Sequence, residues 1–373
     1  MTMTRGLSIY LDLLRFGLAV LVWLCHSTFR GYTGHPFALW FIFPYGLSAV
    51  MGFFVLSGFV IAHVTRTTEK EPIAYAIARV SRLYSVVIPA LLLTAFCDWA
   101  ATLTNPPFDG PVLLEGGQAA RYLVSFFMLN NFWIFAHDPF PNGMIPGTNG
   151  PFWSLSFELT YYVVFGLFLT RNRLVLACGG ALVLLLAGRY IIELFPLWLL
   201  GVAIYRYQRD HTLPVSLAAV LFPLSVLGAA WVGWQREGYD YDRGLPLGID
   251  YGIGLLMAVN ILAASSLSRW FSIMLGWCEP AIRWLGGLTF VIYLCHYPLL
   301  KLFAAFPIGE AGSARQHIWL FGGSFVVMAV IGYATNHGRR YLRTALRSLA
   351  GRSGSSATGT PVASDLRPTL DGT

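Results

Sequence analysis

Long runs of apolar residues recur from one end of the chain to the other, separated by short segments that carry most of the charge. Runs of this length predict transmembrane α-helices, which need ~20 apolar residues each. Two neighbouring runs, 174–188 and 191–205, are shorter than that, which leaves open whether they are two crossings or one bent helix. The predicted spans are residues 8–28, 40–63, 84–104, 152–170, 174–188, 191–205, 214–234, 249–267, 284–305 and 316–336.

The positions of Lys and Arg indicate how these ten spans are oriented, because cytoplasmic loops carry an excess of both. If the N-terminus is cytoplasmic, 17 of the 25 Lys and Arg fall in inner loops and the tail, and Arg15 lies inside the first span. The outer side then holds Arg30, Arg121, Arg189, Arg236, Arg243, Lys301 and Arg315. This excess favours ten spans with both termini cytoplasmic, whereas a single bent helix at 174–205 would reverse every later span.

Composition supports a membrane protein. Of the 373 residues, 56% are hydrophobic and 12% are charged, about half of the ~25% charged residues usual in a soluble domain. We therefore expect an all-α fold, a polytopic transmembrane helical bundle, over residues 1–348, and a disordered cytoplasmic tail at 349–373. The net charge of +7 is explained by the inner loops, so no nucleic-acid partner is predicted.

The five Cys residues stand singly within apolar runs and show no paired spacing. They are interpreted as small buried hydrophobic residues, not as a disulfide framework or a zinc site. No metal site is predicted.

The first span carries two ionisable residues at the ends of an otherwise uncharged stretch, RFGLAVLVWLCH, from Arg15 to His26. On an α-helix eleven residues turn about 1100°, so both side chains share a face to within ~20° and stand ~16 Å apart along the axis. Because a membrane-buried Arg costs at least ~2.5 kcal/mol on insertion scales, this face is expected to line protein or water. For the pair alone an alternative is equally supported, with Arg15 reaching lipid headgroups and His26 in a contact at the far interface.

A second pair of cations, Arg79 and Arg82 in the segment RVSR, precedes the third predicted span on its cytoplasmic side. Residues three apart lie on one helical face, and two guanidinium groups there can bind phosphate oxygens bidentately. The pair predicts an anion site. Anionic lipid is the alternative ligand, since positively charged inner loops produce such pairs by chance.

The segment PFWSLSFELTYY places Ser154 and Glu158 four residues apart, hence on one face, at the entry of the fourth span. Glu158 has no cation beside it in sequence, so its carboxylate needs a partner from another helix. His26 is the predicted partner, because both residues fall in the outer half of the membrane in the ten-span topology.

His296 lies near the middle of the ninth predicted span, in YLCHYPLL, and Pro298 follows two residues later. The proline removes one helical hydrogen bond and frees a backbone carbonyl one turn earlier. A single histidine at this depth is more often a structural hydrogen-bonding group between helices than a catalytic one.

Together these segments resemble the acyltransferase 3 family of integral membrane O-acyltransferases. The resemblance covers residues 8 to 340 and rests on Arg15 and His26 separated by ten residues, FFVLSGFVI with Ser57 and Gly58, RVSRLY, WSLSFE with Glu158, and YLCHYP. The family often shows two adjacent acidic residues where this chain has Glu158 followed by Leu159. A mechanism that uses a second carboxylate at that place is therefore not expected here.

The resemblance implies a ten-helix domain that moves an acyl group, usually acetyl from acetyl-CoA, to a hydroxyl of a carbohydrate or related acceptor. Exopolysaccharide or lipopolysaccharide sugars are the expected acceptors, and a bacterial inner (plasma) membrane, with its lipids, is the expected location. Some relatives have a further soluble domain outside the membrane. A separate extracytoplasmic acyl-accepting protein is accordingly a candidate partner.

The residues above receive roles in this scheme. Arg79 and Arg82, with Arg15 near them, are predicted to hold the phosphates of acetyl-CoA. His26 is predicted to take the proton of the acceptor hydroxyl, a step that typically contributes 10²- to 10⁴-fold, or alternatively to carry the acyl group. Glu158 is predicted to fix the tautomer of His26, as the third member of a triad does. The catalytic group is thus His26, Glu158 and Arg15, and the substrate contacts are Ser154, His296, Tyr293 and Trp153.

A different class of function uses the same residues. Buried Arg15, His26, Glu158 and His296 are also what a proton or substrate path in a transporter or flippase would contain. The spacing of these residues does not separate the two classes.

Overall fold

The computed structural model describes residues 3–28, 42–104, 116–135, 144–240, 244–310 and 312–355. Over these ranges the chain is helical and forms no strand, which confirms the predicted all-α class. A 3₁₀ turn precedes α5 and another precedes α11, and a π-helical segment, Ile318–Gly323, joins α12 to α13. The helices are α1 (Arg5–Ser27), α2 (Tyr45–Thr67), α3 (Pro72–Ala101), α4 (Gln118–Phe126), α5 (Leu155–Leu169), α6 (Arg173–Leu186), α7 (Arg189–Asp210), α8 (Val215–Trp234), α9 (Leu247–Ser266), α10 (Ser268–Leu275), α11 (Glu279–Ala305), α12 (Ala314–His317) and α13 (Ser324–Ser355).

Nine helical stretches in the described part of the chain are long and apolar enough to cross a membrane, so the protein is a polytopic membrane protein. They match nine of the ten predicted spans. The remaining prediction, 174–188, corresponds to α6, whose 14 residues extend ~21 Å against a hydrocarbon core of ~30 Å. Asn172 begins this helix by accepting hydrogen bonds from the backbone amides of Leu174 and Val175.

Contacts at the end of α6 show that α6 and α7 are separate helices that run in opposite directions. Two residues with extended backbone, Ala187 and Gly188, interrupt the helix between them. The end of α6 lies where α5 begins: the Trp133 indole donates to the carbonyl of Leu185, while the neighbouring Asn131 amide bonds to Ser156. α6 therefore runs antiparallel to α5, and α7 runs antiparallel to α6.

Several helices extend beyond the apolar runs that predicted them. α3 begins at Pro72 and not at residue 84, so Arg79 and Arg82 lie within the helix. The polar residues lower local hydropathy without interrupting the backbone hydrogen bonds, and Pro72 supplies a favourable first residue. α13 likewise continues to Ser355, into the segment predicted as a tail. Residues 356–373, like Arg30 and Arg243 of the charge count, lie outside the described residues.

Two parallel helices, α1 and α11, organise the centre of the bundle. At their first turns Arg5 and Glu279 form an ion pair of 2.6 Å. Two turns further along α1, Asp12 forms an ion pair of 2.5 Å with Arg283 of α11. Near the other end of the two helices, His26 is hydrogen-bonded to His296. We call the end with Arg5 and Glu279 the N-terminal face and the other end the opposite face. Residues of α1 and α11 that lie at the same distance from the N-terminal face are therefore neighbours.

The helices α2 and α7 approach each other closely through glycine. A Cβ at Gly58 would lie 1.9 Å from the carbonyl oxygen of Trp198, and one at Gly201 would lie 1.9 Å from that of Val55. Small residues at such a crossing allow two membrane helices to pack backbone to backbone. This contact fixes Ser57 and Trp198 beside the central cavity described next.

Candidate active site

Two adjoining cavities lead into the bundle from the N-terminal face. The mouth cavity encloses ≈ 710 Å³ and is lined by Asp12, Arg283 and Arg339, among others. The deep cavity encloses ≈ 780 Å³ and continues towards Tyr293. Residues that line both are Arg15, Arg82, Thr289 and Phe290.

The junction of the two cavities is rich in guanidinium groups. Arg15 and Arg82 line both spaces, and Arg339 of α13 lines the mouth. Arg15 lies 3.4 Å from Asp12, which also binds Arg283 at 2.5 Å, so one carboxylate serves two arginines. Arginine presents several donors in a planar fork, which matches phosphate oxygens. These residues therefore form a cationic site whose donors match the geometry of an anionic ligand.

Arg79, the other arginine of the predicted anion site, already has a partner. Its guanidinium forms an ion pair with Glu69 at 2.6 Å, and both side chains are 7% exposed. The same guanidinium lies over the rings of Tyr75 and Tyr162, 5.5 and 5.4 Å from their centroids. Arg79 thus lines the deep cavity with its charge balanced by Glu69, whereas Arg82 faces both cavities.

Glu158 lies at the wall of the deep cavity among the arginines. Its carboxylate accepts a hydrogen bond from the hydroxyl of Tyr162, one turn later on α5. Arg15, Arg79 and Arg82 line the same cavity. The carboxylate therefore contributes negative charge to a space otherwise dominated by cations.

The deep cavity ends at Tyr293 and Ser154. The Tyr293 hydroxyl donates to Ser154 Oγ at 2.8 Å, joining α11 to the 3₁₀ turn before α5. The ring of Phe53 packs edge-on against Tyr293 at 5.9 Å. Two of the four predicted substrate contacts, Ser154 and Tyr293, thus line the cavity, and Tyr293 lies about one helical turn before His296.

Trp153, also predicted to contact substrate, is part of the hydrophobic core. It is 7% exposed and packs against the ring of Phe157 at 5.1 Å. Its backbone carbonyl accepts a hydrogen bond of 2.7 Å from the side chain of Asn131. Because apolar neighbours enclose the indole, Trp153 supports the position of Ser154 instead of lining either cavity.

His26 and His296 form a hydrogen-bonded pair beyond the end of the deep cavity. Nε2 of His296 lies 2.9 Å from Nδ1 of His26, and the ring centroids are 5.0 Å apart. Nδ1 of His296 lies 2.8 Å from the carbonyl oxygen of Ile292, one turn back on α11. His296 is fully buried and His26 is partly exposed. The ring of Tyr297 packs edge-on against His26.

The hydrogen-bond partner of His26 in the structure differs from the one predicted from the sequence. The sequence suggested Glu158, but the structure gives the two residues different partners: Tyr162 for Glu158 and His296 for His26. Glu158 shares a cavity with Arg15, which stands eleven residues and ~16 Å from His26 along α1. The prediction failed because α5 enters the bundle from the opposite face, which carries Glu158 deeper than Ser154.

The carbonyl that Pro298 frees is occupied by Asn149. A proline at position 298 cannot donate to the carbonyl of Leu294, four residues earlier. The side-chain amide of Asn149 donates to that carbonyl at 2.8 Å and to Thr94 Oγ1 at 2.9 Å. The predicted opening of the helix is therefore closed by a residue from the segment before α5, directly beside the turn that carries His296.

A buried ion pair holds the same segment in place. Asp98, fully buried, accepts hydrogen bonds from the backbone amide of Thr148 at 3.0 Å, from its hydroxyl at 2.5 Å and from Lys301 at 3.1 Å. Lys301, counted among the outer cations, is itself 2% exposed. Gly147, with φ of +51°, has its Cα against Asp98, where a Cβ would approach a carboxylate oxygen to 2.0 Å.

Sequence reasoning missed Asn149, Tyr162 and Arg339. Asn149 sits in a Gly- and Asn-rich segment that is typical of a loop, and Arg339 belongs to a run of arginines near the C-terminus. The one available signal was Pro298, because a freed carbonyl inside a membrane needs a donor. Nothing in the sequence identified which donor.

Comparison with known proteins identifies the family of this chain. The acyltransferase 3 family model, described as an acyltransferase domain, matches residues 8–337. The chain is 26% identical over 319 residues to the exopolysaccharide production protein ExoZ of Rhizobium meliloti (strain 1021), covering 80% of this chain and 89% of ExoZ. It is 24% identical over 331 residues to the acyltransferase MdmB of Streptomyces mycarofaciens, covering 81% of each. No solved structure matches.

The family match covers most of the chain and includes every predicted site residue, from Arg15 in α1 to His296 in α11. The resemblance found from the sequence is thereby confirmed, and the chain belongs to the acyltransferase 3 family, as an integral membrane O-acyltransferase.

Proposed function

We propose that this protein transfers an acetyl group from acetyl-CoA, bound at the N-terminal face, to a sugar hydroxyl of a surface polysaccharide at the opposite face. The observation that carries the proposal is the line of residues along α1 and α11. Guanidinium groups surround the mouth, a cavity continues inward, and a histidine pair lies beyond it. ExoZ, named for exopolysaccharide production, supports a polysaccharide acceptor.

The residues fit acetyl-CoA by chemistry. Arg15, Arg82 and Arg339 supply donors for its phosphates, and the apolar wall of the deep cavity, from Val50 to Ile61 on α2, suits its uncharged arm. The arm has to pass Tyr293 and Ser154 to reach His26. Passage requires that their hydrogen bond breaks and that the buried Tyr293 ring moves aside. A buried donor left without its partner costs about 1–3 kcal/mol.

The reaction balances with the histidine as a proton carrier. The acceptor hydroxyl oxygen attacks the thioester carbonyl carbon, the C–S bond breaks, and the hydroxyl proton passes to His26 and then to the sulfur of CoA. In the alternative, His26 attacks the thioester carbonyl carbon, the C–S bond breaks, and CoA leaves as the thiol with a proton from the imidazole. The acyl-imidazole then transfers its acyl group to the acceptor hydroxyl, whose proton returns to His26. A burst of CoA release before acceptor is added identifies the second route.

The excess of cations at the N-terminal face supports its assignment to the cytoplasm, where acetyl-CoA is made. We accordingly place the protein in a bacterial inner membrane. The acyltransferase family favours this enzyme over the transporter or flippase that the same buried residues allowed.

The test compares the acyl content of cell-surface glycans, by mass spectrometry, in a strain that lacks this gene. Complementation with the wild-type protein or with His211→Gln should restore O-acetyl groups, and His26→Gln should not. His211 is an exposed histidine at the end of α7 and so serves as a matched control. Unchanged glycan acylation in the strain without the protein, or full restoration by His26→Gln, would refute the proposal.

A further inference from the structure

The histidine pair defines a chain of hydrogen bonds with only one consistent direction. From its geometry we propose that His296 is a positioning residue that holds His26 in the tautomer with the proton on Nδ1 and the lone pair on Nε2. The inference rests on the proposed function, in which His26 removes a proton or accepts the acyl group.

The backbone carbonyl of Ile292 determines which atoms donate and which accept in this chain of hydrogen bonds. The carbonyl oxygen of Ile292 can only accept a hydrogen bond, and it lies 2.8 Å from Nδ1 of His296. Nδ1 of His296 therefore carries a hydrogen. An unprotonated Nδ1 at this distance would place two lone pairs against each other.

The second nitrogen of His296 is consequently an acceptor. A neutral imidazole has one N–H and one lone pair, so a hydrogen on Nδ1 leaves Nε2 unprotonated. The doubly protonated ring would be a cation at a position with 0% exposure, against the hydrogen-bonding nitrogen of another imidazole. Burying a cation in that way is strongly unfavourable.

His26 then has its tautomer assigned. Since Nε2 of His296 accepts across 2.9 Å, Nδ1 of His26 carries a hydrogen. The His26 ring also has a hydrogen bond to the backbone of Val22, one turn back on α1. A neutral His26 with hydrogen on Nδ1 has its lone pair on Nε2. General-base catalysis and nucleophilic attack both need that lone pair, so the assignment serves either route of transfer.

The position of His296 is itself secured from a second direction. Asn149 holds the carbonyl of Leu294, two residues before His296, at 2.8 Å. The turn from Ile292 to His296 is thereby fixed although Pro298 interrupts the helical hydrogen bonds. His296 thus performs the role that sequence analysis gave to Glu158, and it contacts His26 instead of substrate.

Two substitutions of different chemistry test the inference. The amide of Gln reaches the position of Nε2 and offers an oxygen acceptor, so His296→Gln should keep kcat within about tenfold of wild type. His296→Leu fills similar space without an acceptor, and kcat should fall by about 10² or more, since a lost orienting partner lowers kcat by up to ~10⁴ in serine proteases. The KM for acetyl-CoA should stay within about threefold in both, because the guanidinium groups are untouched.

Equal losses in the two variants, or a wild-type kcat in His296→Leu, would overturn the inference. Thermal unfolding of each purified variant controls for misfolding.

A second measurement does not depend on activity. ¹⁵N NMR of histidine-labelled wild-type protein, with the His26 signals assigned through His26→Asn, should show protonated Nδ1 and unprotonated Nε2 at both His26 and His296. A protonated Nε2 on His26 would overturn the inference even if all variants were inactive. If wild-type protein releases no CoA thiol, the proposed function fails, and the NMR result still decides the tautomer.

Discussion

The side-chain amide of Asn149 lies 2.8 Å from the carbonyl oxygen of Leu294 and replaces the hydrogen bond that Pro298 removes from α11. The interaction joins the segment before α5 to the helix that carries His296. It explains how a proline is accommodated within a membrane-spanning helix two residues after His296, because every backbone carbonyl in such a helix needs a donor.

This relationship predicts coupling between positions 149 and 298. Asn149→Ala should lower the free energy of unfolding by about 1–3 kcal/mol, since it leaves a buried carbonyl without its donor. In a Pro298→Ala background the backbone amide of residue 298 can bond to Leu294, so the same change should cost about 1 kcal/mol less. Equilibrium unfolding in mixed micelles measures both effects. Additive effects of the two substitutions would contradict the assignment.

Arg82 and Arg339 should affect binding of the donor. Hydrogen bonds to charged groups contribute about 1.5–3 kcal/mol, so Arg82→Gln or Arg339→Gln should raise the KM for acetyl-CoA about 10- to 100-fold. Arg206→Gln removes the same charge from an exposed position at the end of α7 and is the control. Initial rates of CoA release at varied acetyl-CoA give these values. A change of the same size in the control would indicate a general surface effect and not a specific site.

Arg79 should behave differently from Arg82, although both belong to RVSR. Arg79→Met leaves the buried carboxylate of Glu69 without its ion-pair partner, and loss of one member of a buried pair costs about 3–5 kcal/mol. The double variant Arg79→Met, Glu69→Leu should recover most of that stability. Thermal unfolding with and without acetyl-CoA measures it. Normal stability of Arg79→Met, with only a raised KM, would show that Arg79 binds donor directly.

Glu158→Gln should change the affinity for the donor, not the tautomer of His26. Removing a carboxylate from a cavity lined by Arg15, Arg79 and Arg82 increases the positive charge there, so the KM for acetyl-CoA and its dependence on salt should shift. The ¹⁵N signals of His26 should remain as in the wild-type protein. A change of the His26 tautomer in Glu158→Gln would restore the triad predicted from sequence.

Local properties explain which parts of the molecule the sequence predicted. Apolar runs predicted the helices because a membrane admits few other structures, and the shared face of Arg15 and His26 follows from helix geometry. Helix ends were less accurate, as at Pro72, because hydropathy does not report backbone continuity. The ranges of α6 and α7 were close to those predicted, but only contacts of Asn131 and Trp133 showed two helices that run in opposite directions.

Partners across helices could not be predicted in the same way. They depend on the depth and rotation at which helices pack, and no residue encodes these by itself. Glu158 was paired with His26 for lack of a nearby cation, whereas packing gave it Tyr162 and the arginines. His296 was assigned to the substrate contacts, with a bond across helices as the alternative, and its partner His26 became known only when α1 and α11 were seen to run parallel.

In the proposed reaction, donor and acceptor enter from opposite faces of the protein and meet at the histidine pair. Proteoliposomes of fixed orientation, with radiolabelled acetyl-CoA on one side and de-O-acetylated polysaccharide on the other, test it most directly. We predict labelled polysaccharide only when acetyl-CoA is on the side of Arg339 and the acceptor is on the opposite side, with none formed by His26→Gln. Equal labelling when acetyl-CoA is confined to the side opposite Arg339 would contradict the account.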